Sequence, residues 1–336
     1  MSLLEVKDLS VSFPTEDGVV QAVRHVSFTV ERGEVVGIVG ESGSGKSVTS
    51  MAVMGLLPRS ASITGTVLYD GVDLLTLDQK TRTSYRGNRM GMIFQDPMTS
   101  LNPVYDIGWQ LSEAVRTHNN ISKKAAKAQA VELLKLVGIP QASKRVDAYP
   151  HEFSGGMRQR VMIAMAMANS PDLLIADEPT TALDVTVQAQ ILETLERIQA
   201  ESGIGIILIT HDLGVVAGMA DRMLVMYAGS VVEDGAVDEI FYEPRMPYTA
   251  GLLGAIPRVG EAGAKLNQIK GTTPSLINLK PGCKFSSRCP LVIDVCRNVE
   301  PPLAATDQPA HLAACHRWKD LVGVDASAIF LQETAG

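Results

Sequence analysis

Apolar and polar positions alternate along this chain in two periods, and the periods take turns. Residues 3–13 alternate partly between apolar and polar and predict a strand. Val26-Ser27-Phe28-Thr29-Val30 predicts a second, and Glu31-Arg32-Gly33 turns into Glu34-Val35-Val36-Gly37-Ile38-Val39, a β-branched run short enough for one buried strand. Further strands are predicted at 63–69, at Met92-Ile93-Phe94, and at 172–177, 204–209 and 223–227. Helical spacing is predicted between them, at 47–57, from 157 to about 168, and at 184–201. Residues 106–137 carry two amphipathic runs, one through Ile107, Leu111, Ala114 and Val115, the next through Ala130, Leu133, Leu134 and Val137, closed by Gly138. Such alternation predicts an α/β fold with a parallel sheet covered by helices. Beyond about residue 235 the pattern loosens. Helix-like pieces at 238–242 and 247–256 give way to Pro- and Gly-containing segments, an appendage expected to be held by something other than a large core.

The chemistry lies at predicted strand ends. Gly40-Glu41-Ser42-Gly43-Ser44-Gly45-Lys46-Ser47 stands between a strand and a helix and fits G-x-x-x-x-G-K-[ST]. Glycines let the backbone wrap phosphate oxygens while the helix start aims N–H groups at them. Lys46 is expected on the β- and γ-phosphates, and the Ser47 hydroxyl on Mg²⁺. The chain is therefore expected to bind a nucleoside triphosphate. Asp177 and Glu178 close an apolar strand: Asp177 is expected to bind Mg²⁺, and Glu178 to polarise the attacking water. Gln95 is expected to ligate the metal and sense the γ-phosphate, and His211 to hold the water in line. Ser154-Gly155-Gly156 at a helix start is a second anion-binding element. One loop already serves a nucleotide, so a head-to-tail dimer, each chain capping the other's γ-phosphate, gives the second element a use. Phe13 fits either a stack on an adenine ring or a core position.

Composition narrows the setting. The 336 residues are 46% hydrophobic, and no apolar run approaches the roughly 18–20 residues that cross a bilayer. The N-terminal residues lack a basic region followed by an apolar one, so no signal peptide is expected. A net charge of −7 argues against nucleic acid as a partner. All four cysteines fall late, as Cys283-x5-Cys289-x6-Cys296-x18-Cys315. No pair has the two-to-four-residue gap usual for structural zinc. Four thiolates at wider spacing, with Pro290 directly after Cys289, suit a 4Fe–4S cluster better, with zinc and unligated thiols as the other readings. His311 and His316 are expected at the surface.

The loop at 40–47, Gln95, Ser154-Gly155-Gly156, Leu173-Leu174-Ile175-Ala176-Asp177-Glu178, Ala182-Leu183-Asp184 and His211 together resemble the ATP-binding-cassette ATPases. That resemblance implies a parallel sheet core with an antiparallel β subdomain and a helical subdomain at about 97–168, all within 1–240. It also implies that Asp184 belongs to the nucleotide site. The stretches 94–103, 149–157 and 225–229, with Phe153 and Met157 flanking the signature, look like the dipeptide and oligopeptide importers, and 241–336 like their C-terminal extension. The resemblance supports the cluster. It implies an ATPase on the cytoplasmic face of the inner membrane, with a second related ATPase, two membrane permeases and an extracytoplasmic peptide-binding protein. Nickel-chelate, glutathione or glycopeptide importers are alternative systems, and a non-transport ATPase of this class a more distant one.

Overall fold

The computed structural model describes residues 2–96, 100–181, 183–255, 269–325 and 329–330. Its first sheet is antiparallel. Strand β1 (Leu4–Thr15) lies between β2 (Gly18–Val30) and β4 (Ser62–Tyr69), and β5 (Val72–Asp73) follows at the edge. Strand β2 is one long strand where the pattern marks only residues 26–30. Register shifts in its pairing with β1 break the period-two signal there.

Among the described residues the second sheet has eight strands, in the order β11 (Ala304–Ala305), β12 (Leu312–Ala313), β10 (Ser230–Ala236), β9 (Arg222–Tyr227), β3 (Val35–Val39), β8 (Gly205–Ile209), β7 (Leu173–Asp177) and β6 (Met90–Ile93). Its centre comprises β3, β6, β7, β8 and β9, and the pairings among these five are parallel. All five residues of β3, of β7 and of β8 are buried, as expected of parallel strands covered on both faces. One core fills the space between the sheets, through Leu4, Val6, Phe28 and Tyr69 on one side and Ile38, Ile175, Ile207 and Leu224 on the other.

Helices α1 (Lys46–Met54) and α2 (Gln79–Tyr85) pack on the core between the sheets, through Ala52, Val53, Met54 and Tyr85, while α3 (Ile107–His118), α4 (Lys123–Leu136), α5 (Ala142–Arg145), α6 (Gly155–Ala166), α7 (Val185–Ser202) and α8 (Leu213–Met219) contribute to the core on the other face. Asp106, Ser122, Ser154 and Asp184 cap α3, α4, α6 and α7 by accepting backbone N–H bonds. Of the apolar residues expected on 106–137, Ile107, Leu111, Val115, Ala130, Leu133, Leu134 and Val137 are buried in one cluster with Val161 and Ile163 of α6, and Ala114 packs against it half-buried.

The C-terminal region differs most from its expectation. Strand β10 (Ser230–Ala236) pairs antiparallel with β9, and two short strands, β11 (Ala304–Ala305) and β12 (Leu312–Ala313), continue the sheet beyond it. Helices α9 (Val237–Tyr242) and α10 (Pro247–Gly254) follow; Tyr248 of α10, Phe285 and Ala314 share a buried cluster with Val39, Val225 and Tyr227. The region therefore has a core held in common with the main sheet.

His311 is fully buried, not at the surface. Pairing of β12 with β10 carries it against Glu233, whose Oε1 lies 2.8 Å from His311 Nε2 and also accepts the Arg245 backbone N–H. His316 is half-buried, its Nε2 3.0 Å from the Val299 carbonyl oxygen. Removing a buried acceptor shared by two partners leaves both unpaired. We expect Glu233→Ala to lower the unfolding free energy by about 2 kcal/mol and Glu233→Gln by less. Chemical denaturation checks this, and an unchanged midpoint for Glu233→Ala would contradict it.

Candidate nucleotide site

The phosphate loop leaves β3 at Val39 and enters α1 at Lys46. Its backbone fits only because of two glycines. Gly40 has φ +147°, and a Cβ there would lie 2.2 Å from the Met226 carbonyl oxygen. Gly45 has φ +104°, and its Cβ would lie 2.5 Å from the Ala22 carbonyl oxygen. Both angles disfavour any other residue, and both contacts are against rigid backbone.

Within this loop the polar groups are poorly satisfied. Ser44 is buried, and among the described residues its Oγ has no partner. Lys46 is buried too, and its ammonium bends back to donate to the carbonyls of Gly40 (2.7 Å) and Glu41 (3.1 Å). Burial pulls the Lys46 pKa down, against the opposing pull of Glu178, Asp177 and Glu41. The Ser47 hydroxyl donates to Asp177 Oδ1 at 3.0 Å, bringing both expected Mg²⁺ ligands together. Gln95, the third expected ligand, bonds to Glu178 instead.

Glu178 points elsewhere because its backbone turns. It follows the last residue of β7 with φ +48°, a left-handed conformation uncommon outside glycine. Its carboxylate oxygen Oε2 accepts from Gln95 Nε2 (3.0 Å) and from Thr181 Oγ1 (2.7 Å), and lies 3.5 Å from His211 Nδ1. The parallel order β3-β8-β7-β6 sets loop, His211, Glu178 and Gln95 at the same end of neighbouring strands, where open α/β sheets bind ligands. Nothing in the sequence pattern singles out Thr181, although its spacing of three from Glu178 suits a local side-chain bond.

Other expected residues stand apart from this cluster. Ser154 Oγ accepts the Met157 N–H at 3.3 Å as the cap of α6. Gly156 is also a packing glycine, since a Cβ there would lie 2.5 Å from Val187 Cγ1 on α7. Among the described residues no hydrogen bond joins residues 154–156 to the loop. Asp184 caps α7, accepting the Val187 N–H at 3.0 Å. Phe13 is half-buried and packs on the core between the sheets. Ser42, Gly43 and Gly155 are exposed. Residues 97–99 and Ala182, part of the stretches that resemble known families, lie outside the described residues.

The four cysteines come together. Cys283, Cys289, Cys296 and Cys315 line one cavity of about 10 Å³, near the space of one water. Burial raises the Cys283 thiol and pushes Cys289 up to about 11 and Cys315 to about 12; neighbouring thiols add to the rise and backbone hydrogen bonds oppose it. Among the described residues, no group of three or more His, Cys, Asp or Glu side chains could hold a metal ion as arranged. The donor set suits a cluster; the closed pocket does not yet present one.

Comparison with known proteins settles the family. The "ABC transporter" family matches residues 23–181, and "Oligopeptide/dipeptide transporter, C-terminal region" matches 232–296. The oligopeptide transport ATP-binding protein OppD of Bacillus subtilis is 56% identical over 304 residues, covering 90% of this chain and 85% of that protein. The chain belongs to the ABC transporter family, in its oligopeptide/dipeptide branch. OppD of Mycobacterium tuberculosis is 55% identical over 336 residues, but this chain spans only 54% of its length. Among solved structures, the ATP-binding cassette MJ0796, a dimer in a post-hydrolysis state bound to ADP and Pi, is 26% identical. Its TM-score is 0.63, and the match covers 70% of this chain and 98% of that one.

The cassette's residues fit a magnesium nucleotide. An unpaired buried hydroxyl at Ser44, a buried lysine whose hydrogen bonds go only to carbonyls, and the Ser47–Asp177 pair are the donor and ligand groups such a nucleotide needs. Burial raises the Asp177 pKa, the charge of Glu178 adds to the rise, and Ser47 and Lys46 only partly oppose it. A carboxyl raised in the folded state stabilises the fold below its unfolded pKa and loses that contribution as pH rises through the folded one. The nucleotide-free cassette should therefore be steadier at mildly acidic than at neutral pH because of this group. Asp177→Asn is expected to raise the thermal midpoint at neutral pH, flatten the trend, and abolish any extra stabilisation that Mg²⁺ gives with ATP. A midpoint lowered by Asp177→Asn at neutral pH would contradict this.

Proposed function

We propose that this chain hydrolyses ATP to drive import of di- or oligopeptides through an ABC transporter. The observation that carries the proposal is the joining of Glu178, Gln95, Thr181 and His211 beside a phosphate loop. Two donors fix the Glu178 carboxylate, so it is aimed as a base and takes the proton of the attacking water. Lys46 leaves its two carbonyls for the phosphates, and loop N–H groups receive phosphate oxygens. Magnesium, when held by Ser47 and Asp177, neutralises phosphate charge. Gln95 links this base to the segment that follows β6, so it is placed to couple the chemistry to a partner.

The chain works as a head-to-tail pair with a second, related ATPase, Ser154 and the glycines 155–156 facing the partner's nucleotide, with Asp184 near the joint. The exposed caps of α6 and α7 and the dimeric relative support this. Among the described residues no helix is long and apolar enough to cross a membrane. On this reading the pair sits on the cytoplasmic face beneath two permease subunits fed by an extracytoplasmic binding protein. A methionine-rich groove of about 260 Å³, lined by Met54, Met92, Phe94, Met162 and Met165, adjoins Gln95 and suits a permease helix. Domain limits near 240 and 241–336 follow the same reading, as does the peptide cargo.

Glu178→Gln, expressed with the other transporter subunits, is expected to slow hydrolysis at least about 100-fold and to trap an ATP-bound ATPase pair that co-purifies with membrane subunits. Hydrolysis at the normal rate, or a chain that stays monomeric in ATP and brings down no membrane subunit, would overturn the reading.

We also propose that the four cysteines hold a 4Fe–4S cluster once their pocket opens around it. Their spacing and their convergence on one cavity support this. Anaerobically purified protein should be brown and contain about four irons per chain. A colourless, iron-free sample would end the proposal.

A further inference from the structure

Glu41, the first variable residue of the phosphate loop, is held from the far end of the chain. Its backbone N–H donates to the Tyr248 hydroxyl at 2.9 Å. Both Arg288 Nη atoms donate to its carboxylate, at 2.8 and 2.9 Å. The Arg288 side chain is only 5% exposed. It also donates to the Lys270 carbonyl through Nε (3.1 Å) and to the Tyr227 hydroxyl (3.3 Å). The guanidinium stands about 5.8 Å from the centre of the Tyr227 ring and 5.9 Å from that of Phe285. Tyr227, Tyr248 and Phe285 pack on one another, with ring centres 4.6 to 5.4 Å apart.

A bidentate arginine–carboxylate pair with its guanidinium buried fixes distance and angle together, which a single lysine contact does not. Here it fixes the residue whose carbonyl also receives Lys46 Nζ, and the Tyr248 bond fixes the same residue's backbone. A staple that served only to attach the extension could grip any strand of the sheet. This one grips the loop twice. Loop donors favour a triphosphate only if they are oriented before it arrives, since ordering them on binding weakens affinity.

We propose that Arg288 and Tyr248 are positioning residues for the phosphate loop, making nucleotide affinity depend on the C-terminal extension. Arg288 precedes Cys289 directly, so the arginine and one wall of the cysteine pocket belong to one short segment. The proposal rests on the ATP-binding reading above and adds to it where the affinity is set.

Calorimetric titration of the full chain with Mg²⁺ and a non-hydrolysable ATP analogue tests it. Arg288→Ala and Glu41→Gln are each expected to weaken binding about tenfold, the scale of one charge-assisted bond. Arg288→Lys should recover part of the loss, and the double variant should bind no worse than either single one. Thermal midpoints without nucleotide should shift little for Glu41→Gln and Arg288→Lys. Binding within twofold of the unsubstituted chain for Glu41→Gln and Arg288→Lys, with a fall only in midpoint, would make the contact a staple and overturn the proposal. Glu41→Gln decides the matter even where Arg288→Ala does not fold. If the unsubstituted chain binds no nucleotide, the ATP-binding reading fails first and the proposal falls with it.

Discussion

The structure is organised around a buried place whose charges do not balance. Lys46 and Asp177 are both out of water, each perturbed mainly by that burial, and Ser44 presents an unpaired hydroxyl beside them. Burying charged and polar groups is costly, and here a lysine held only by carbonyls, a carboxylate held by one hydroxyl and an unpaired serine hydroxyl are buried side by side, the arrangement of a site built for a charged ligand. The lysine meanwhile rests on carbonyls of its own loop, an arrangement that a phosphate oxygen displaces readily because it carries more charge than a carbonyl.

Everything else positions this imbalance. Two glycines let the loop pass within van der Waals distance of neighbouring backbone, and the parallel sheet sets four strand ends side by side. The left-handed turn at Glu178 then sends adjacent carboxylates to different tasks, one toward Ser47 and one toward Gln95, Thr181 and His211. The C-terminal region completes the enclosure. It extends the same sheet through β10 to β12 and returns Tyr248 and Arg288 to the loop, so it belongs physically to the nucleotide site rather than hanging beside it.

What could be read from the sequence follows the range of the interactions. The glycine loop is a local motif, and Asp177 and Glu178 end an apolar strand, so both are visible in a short window. Gln95 and Glu178 are 83 residues apart, yet each closes a strand, and parallel neighbours bring strand ends together. Arg288 and Glu41 are 247 apart, and Arg288 sits in a Pro- and Gly-containing stretch with no period to show its direction. His311 misleads for a related reason. Strands of two residues carry no alternation, and a polar letter is buried here because Glu233 is buried with it. The core of the extension was illegible because its apolar residues are scattered singly and meet only after β12 joins β10.

A structure of the chain with Mg²⁺ and an ATP analogue tests the central claim most directly. The account predicts that Lys46 Nζ leaves the Gly40 and Glu41 carbonyls for phosphate oxygens and that Ser44 gains a partner on the same triphosphate. A nucleotide bound elsewhere, with Lys46 still on its carbonyls and Ser44 still unpaired, would contradict it.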